Sequence, residues 1–139
     1  MSQENVEIVL QVFEEFQAGL ERGDPGAGFD SDALADDYEW ILGRPFEGRT
    51  VWRGREEFIE FVRTFTNEFD DWSVRAERWI DAGDDRVVSL MRQSATGKGS
   101  GAPVEWQTGQ VWELKDGRVI RTRNYGNRAE ALEAAGLSE

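Results

Sequence analysis

The sequence predicts an α+β domain in which a mixed, mostly antiparallel sheet curves around N-terminal helices. Three observations predict it. The first half carries two stretches with apolar residues at helical spacing, Val6 to Leu20 and Phe58 to Phe69. The second half alternates apolar and polar residues with a period of two. Turn residues punctuate that half at Gly83-Asp84-Asp85 and Asp116-Gly117.

The elements follow in order. Ser2 is a candidate N-cap, and Glu4 lies in the first turn, where the helix dipole favours a carboxylate. Val6, Val9, Leu10, Phe13, Phe16 and Leu20 form one stripe, and Gly23-Asp24-Pro25-Gly26 ends the helix. Ser31 to Asp36 reads as a short second helix, and Tyr38 to Leu42 as a first strand. Gly43 to Val51 holds Gly, Pro and Arg without periodicity and reads as a loop. A third helix starts near Arg55, with Glu56 and Glu57 in its first turn. Phe58, Phe61, Val62, Phe65 and Phe69 make its apolar stripe.

The remainder is β. Trp72, Val74, Ala76 and Ile80 share a face, with Arg78 as the exception. Arg86 to Thr96 is a strand, Gly97 to Pro103 a loop and Val104 to Leu114 a long strand. Asp116-Gly117 is a strong hairpin signal, and Val119 to Tyr125 is the last strand. A closing helix spans Ala129 to Ala135, with Gly136 at C′. A meander of this kind must cover one face, and the leading helices are the available cover. Where apolar side chains fail to meet inside such a curl, a cavity remains.

Composition narrows the chemistry. The 139 residues suit one domain, 1–139. With no cysteine and no histidine, thiolate chemistry, the best neutral-pH proton carrier and the commonest metal ligands are missing, so no metal or other cofactor is expected. Carboxylates, Tyr, Arg, Lys or amides must do any chemistry. A net charge of −12 repels phosphate backbones and anionic lipid, so neither nucleic acid nor a membrane surface is an expected partner. No apolar run reaches membrane-spanning length and no signal-peptide pattern opens the chain, so the expected location is cytoplasmic. Gly97-Lys98-Gly99-Ser100-Gly101 is followed by a strand rather than a helix, so it reads as a hairpin loop rather than a phosphate cradle.

Several segments look familiar in order. They are Leu34-Ala35-Asp36-Asp37-Tyr38-Glu39-Trp40, Trp52-Arg53-Gly54-Arg55-Glu56, Ile80-Asp81-Ala82-Gly83-Asp84, and Val111 to Val119 around the last hairpin. With the opening Ser2 to Val6 and the closing Glu130 to Leu137, they resemble the SnoaL-like branch of the nuclear-transport-factor-two-like superfamily over nearly the whole length. The resemblance implies a cone with a deep pocket and homodimers through the outer sheet face. It does not imply one function, since relatives include polyketide cyclases, ketosteroid isomerases, epoxide hydrolases, dehydratases and non-catalytic binders.

The resemblance also shows which chemistries are depleted. The ketosteroid isomerase base would fall at or near Leu42, which moves no proton. The Arg-x-Asp of the epoxide hydrolases is matched by Arg92-Gln93-Ser94, and their second Asp by Asn124, so Arg92 is kept and both acids are lost. Cyclase relatives often carry Asp where this chain has Asn124, and dehydratase relatives need a His–Asp pair.

Strand parity then nominates a pocket wall. Trp106, Thr108, Gln110, Trp112 and Leu114 share one face, and Ile120, Thr122 and Asn124 share another. Both are placed inward because the opposite faces carry Glu105, Gln107, Glu113, Arg121 and Arg123. Tyr38 or Trp40 should enter from the first strand and Arg92 from the fourth. The expected ligand-binding set is Tyr38, Trp40, Arg92, Trp106, Gln110, Trp112 and Asn124, around a small hydrophobic molecule.

Each has a structural alternative. The tryptophans serve equally as core, Gln110 and Asn124 can satisfy one another, and Arg92 can pair with Glu105 or Glu113 at the rim. Asp36 and Asp37 can cap the short helix, and Tyr125, Val119 and Val111 can form a dimer seam. Three functions remain open at this level. They are a binding pocket, a cyclase or isomerase using Asp37, Glu39 or Tyr38 as base, and a non-catalytic dimeric domain.

Overall fold

The computed structural model describes residues 2–24 and 32–137. Helix α1 spans Ser2–Glu21, and its inward stripe of Val9, Val12 and Phe13 is buried. Strand β1 (Leu34–Phe46) and strand β2 (Arg49–Arg53) form a hairpin ahead of α2 (Gly54–Glu68). Four strands follow: β3 (Phe69–Gly83), β4 (Arg86–Gly97), β5 (Pro103–Lys115) and β6 (Arg118–Tyr125). Helix α3 (Arg128–Ala134) ends the described chain. No helix among the described residues is long and apolar enough to cross a membrane.

The six strands make one curved mixed sheet in the order β2-β1-β6-β5-β4-β3. Every neighbouring pair is antiparallel except β1 and β6, which run parallel with Trp40 opposite Thr122 and Leu42 opposite Asn124. Helices α1 and α2 pack on the inner face around Val9, Phe13, Phe58, Phe61, Val62 and Trp112. Burying each such large side chain contributes about 1.5–3 kcal/mol, so this inner layer supplies most of the driving force. Helix α3 lies on the opposite face over a second, smaller core of Val88, Leu90, Val111, Ala131 and Leu132.

The expected turns form as their chemistry dictates. Asp116 and Gly117 both take positive φ, 52° and 78°, the pair a type I′ hairpin demands. Gly136 sits at φ 76°, and Leu137 and Gly136 donate to the carbonyls of Leu132 (2.8 Å) and Glu133 (3.0 Å), closing α3 with a Schellman motif. Asn127 opens the same helix, its carboxamide oxygen accepting from the backbone N–H groups of Ala129 (2.7 Å) and Glu130 (3.3 Å).

Several expectations are corrected. Residues 34–36 are strand, not helix: β1 begins at Leu34, which is opposite Val119, and only a turn at 32–33 precedes it. Ser31 lies outside the described residues, as do Pro25 and Gly26 at the end of the first helix. Ser2 is already helical, and its side chain lies outside the described set. The supposed loop Gly43 to Val51 is a hairpin: β1 continues to Phe46, and Glu47-Gly48 turn at φ 50° and 79° into β2. The missing periodicity there has a cause, since the β1–β2 register shifts between Ile41 and Phe46. Phe69 leaves the helical stripe to begin β3.

Two bulges reassign side chains. In β3, Ala76 pairs with Met91 and Arg78 with Leu90, leaving Glu77 as the extra residue. The faces exchange there, so Trp79 joins the inner core and Ile80 packs under α3. Arg78 was therefore no true exception to the alternation. In β6, Glu113 pairs with Arg121 but Leu114 with Val119, so Ile120 is the extra residue and Val119, fully buried, takes the inward position. Val119 cannot form a dimer seam. Val111 is buried beneath α3, and Tyr125 packs against the same cluster.

Candidate functional site

The inner face of the sheet and the two long helices do not meet everywhere. Between them lies a cavity of about 190 Å³. The helices contribute Phe13 and Phe16 from α1 and Phe58, Phe61 and Phe65 from α2. Helical spacing places each set on one stripe, and that stripe faces the void. The rings meet one another mostly at tilted or edge-on angles, as in Phe58 against Tyr38 (5.8 Å, 89°) and Phe61 against Trp52 (4.8 Å, 59°).

The sheet contributes the polar atoms. Tyr38, Trp40 and Leu42 alternate inward along β1, and Trp106, Thr108, Gln110 and Trp112 along β5. Asn124 comes from β6, Gln93 and Met91 from β4, and Trp72 and Val74 from β3. One hydrogen-bonded chain links most of these groups. Trp112 Nε1 donates to Ser89 Oγ (2.8 Å), and Ser89 donates to Gln110 Oε1 (2.8 Å). Gln110 Nε2 donates to Thr108 Oγ1 (2.8 Å) and to Asn124 Oδ1 (2.6 Å). From the other side, Trp72 Nε1 donates to Gln93 Oε1 (2.9 Å), and Gln93 Nε2 donates to Thr108 Oγ1 (2.9 Å). Both readings of Gln110 and Asn124 therefore coexist: they bond one another and they line the cavity.

Six of the seven residues nominated from sequence line the void: Tyr38, Trp40, Trp106, Gln110, Trp112 and Asn124. Arg92 does not. It lies on the outer face, where its guanidinium donates to Glu77 (3.0 Å) and Glu105 (2.8 Å). The inward residue of that strand is Gln93, which sequence reasoning passed over. A signal for it existed in the pairing: Gln93 lies opposite Trp106, whereas Arg92 lies opposite Gln107, already assigned outward.

The candidate bases separate in the same way. Asp37 is exposed and absent from the cavity wall. Glu39 points outward, accepting from Arg53 (2.9 Å) and Arg121 (2.9 Å), and these bonds hold its carboxyl below the usual range. Tyr38 does line the cavity, but burial pushes its phenol well above its ordinary value, outweighing the opposing bond it donates to Thr122 Oγ1 (2.7 Å). Tyr38 is the sole ionisable side chain among the described residues of the wall, which holds no Asp, Glu, Lys or Arg. Leu42 occupies the wall where the isomerase resemblance places a carboxylate.

The model of the SnoaL-like domain family matches residues 13–122, most of the chain. The chain belongs to the SnoaL-like domain family. Among solved structures it is similar to an NTF2-like protein of unknown function from Burkholderia pseudomallei, with 23% identity and a TM-score of 0.73, covering 96% of this chain and 97% of that one. It is also similar to a putative SnoaL-like polyketide cyclase from Jannaschia, at 23% identity and a TM-score of 0.72, covering 89% and 85%. TerC, co-crystallised with polyporic acid, is similar at 18% identity and a TM-score of 0.73, covering 96% and 98%. At these identities the likeness is one of fold. No curated protein matches the chain. The SnoaL-like domain thus keeps its fold here with a cavity wall that holds no carboxylate among the described residues.

Proposed function

We propose that this SnoaL-like domain binds a small, largely hydrophobic organic molecule in its cavity and performs no carboxylate-driven acid–base chemistry there. The observation that carries this reading is the wall itself: mostly aromatic and aliphatic, with amides and hydroxyls but no ionised group among the described residues. A general base needs a pKa near the working pH, and a phenol raised above its ordinary value is a hydrogen-bond donor under those conditions, not a base. TerC, a fold relative, was crystallised with polyporic acid, and the Jannaschia relative is a putative polyketide cyclase. Both names are in keeping with an organic ligand for this cavity.

The test is thermal. A cavity of about 150 Å³ accommodates benzene, so a fused six-five bicycle such as indane suits the volume here. Indane at a hundred times its dissociation constant should stabilise the fold by about 2.7 kcal/mol. Leu42→Trp, which fills part of the void, should abolish that response. A melting temperature indifferent to indane and to larger bicyclic ketones would defeat the reading.

A further inference from the structure

We propose that the cavity is polarised to recognise a hydrogen-bond acceptor, such as a ketone or quinone carbonyl, in preference to a donor of the same shape. The proposal rests on the ligand-binding reading above and names the chemistry of the ligand.

Two indoles and one serine set the polarity. An indole N–H only donates. Trp72 therefore requires the oxygen of the Gln93 amide at 2.9 Å, which turns Gln93 Nε2 toward Thr108. Trp112 donates to Ser89 Oγ, so the Ser89 hydroxyl hydrogen must go elsewhere. Ser89 has no solvent exposure, and the acceptor within reach is Gln110 Oε1 at 2.8 Å. Turning the Gln110 amide over would strand that hydrogen in the dry interior, where an unmade bond is most costly. Gln110 Nε2 is thus also turned toward Thr108 and Asn124.

The consequence appears at the cavity wall. Thr108 Oγ1 accepts twice, from Gln93 and Gln110, and its own hydroxyl hydrogen has no acceptor among the described residues. Asn124 offers its oxygen to Gln110, and its NH₂ has no acceptor among the described residues. The Trp40 indole N–H is likewise without a partner among the described residues. Thr108, Asn124 and Trp40 all line the void. The Trp40 N–H is itself buried, so the polar hydrogens left at the wall are those of Thr108 and Asn124. A ligand carbonyl completes such a set, whereas a ligand N–H meets hydrogen against hydrogen.

Three near-isosteric bicycles separate the possibilities: indane, with no polar group; 1-indanone, an acceptor only; and indole, a donor only. Dissociation constants are measured by titration calorimetry at neutral pH. 1-Indanone should bind at least tenfold more tightly than indole, with indane between them. Equal affinities for all three, or tighter indole, would overturn the polarity while leaving the cavity reading intact; no binding by any of them would overturn both.

Ser89→Ala supplies the second arm. It removes the relay without touching the cavity wall, since Ser89 lies behind Gln110. Freed to turn, Gln110 and Asn124 should cut the indanone-to-indole ratio at least threefold while indane affinity holds. A ratio unchanged in the folded variant would overturn the proposal. Should Ser89→Ala fail to fold, Trp72→Phe releases Gln93 and is read by the same ratio.

Discussion

Gly109 on β5 lies directly beneath Ala131 on α3, so closely that a Cβ built at position 109 would stand 2.5 Å from the Ala131 Cβ. Only a residue without a side chain lets the helix seat at that distance. Gly109→Ala should therefore push α3 off the sheet. Overpacking of this kind costs about 1–3 kcal/mol. The change should be visible as a lower melting temperature and as faster amide exchange at Val111, Leu132 and Ala135, with the inner core unaffected.

Acid should weaken the same attachment by another route. Glu77, the bulge residue of β3, accepts hydrogen bonds from Arg128 at the start of α3 and from Arg92, and these hold its carboxyl down from 4.5 to about 2. A carboxyl with a depressed folded-state pKa stabilises the fold fully above its ordinary value and loses that contribution as pH falls toward the lower one. The loss should thus run between about pH 4.5 and 2. Glu77→Gln should flatten that part of the stability profile, and a profile identical to that of the parent chain would contradict the assignment.

Arg92 offers a clean check on which face it occupies. Its two partners are both surface carboxylates, and solvent screening leaves such pairs a small contribution. Arg92→Gln should leave ligand affinity within about twofold and lower stability slightly. Gln93→Leu, by contrast, removes the acceptor of the Trp72 indole and one donor to Thr108, and should change both stability and ligand preference.

Phe61 bridges the helix layer and the β1–β2 hairpin, touching the rings of Trp40, Phe46 and Trp52. Phe61→Ala should cost about 3–5 kcal/mol, less if the cavity collapses onto the gap. Denaturant titration measures it. A ligand larger than indane should bind the variant better than it binds the parent chain.

Much of the fold was legible because it is local. The phenylalanine stripe of α2, the Asp116-Gly117 turn and the alternation of β5 each follow from rules acting within a few residues. The illegible parts are those where partners distant in sequence decide. The segment Ser31 to Asp36 reads locally as a short helix, yet Leu34 pairs with Val119 and that pairing wins. The bulges at Glu77 and Ile120 shift parity by one, and a sequence pattern carries no mark of which residue will be left unpaired. Arg92 faces outward for the related reason that its register opposite Gln107, and not its place in a short motif, sets its face.

By itself, then, the sequence determined the α+β class, the supply of aromatic side chains and the lack of histidine, cysteine and a carboxylate at positions 42 and 124. These are properties of composition and short spacing. Only the tertiary structure decided that Gln93, Thr108, Gln110 and Asn124 join in one network, and that α3 covers Val111 and Tyr125. Hydrogen-bond direction and helix docking both depend on which strands lie side by side, and strand neighbours are chosen by burial over the whole chain rather than by any local signal.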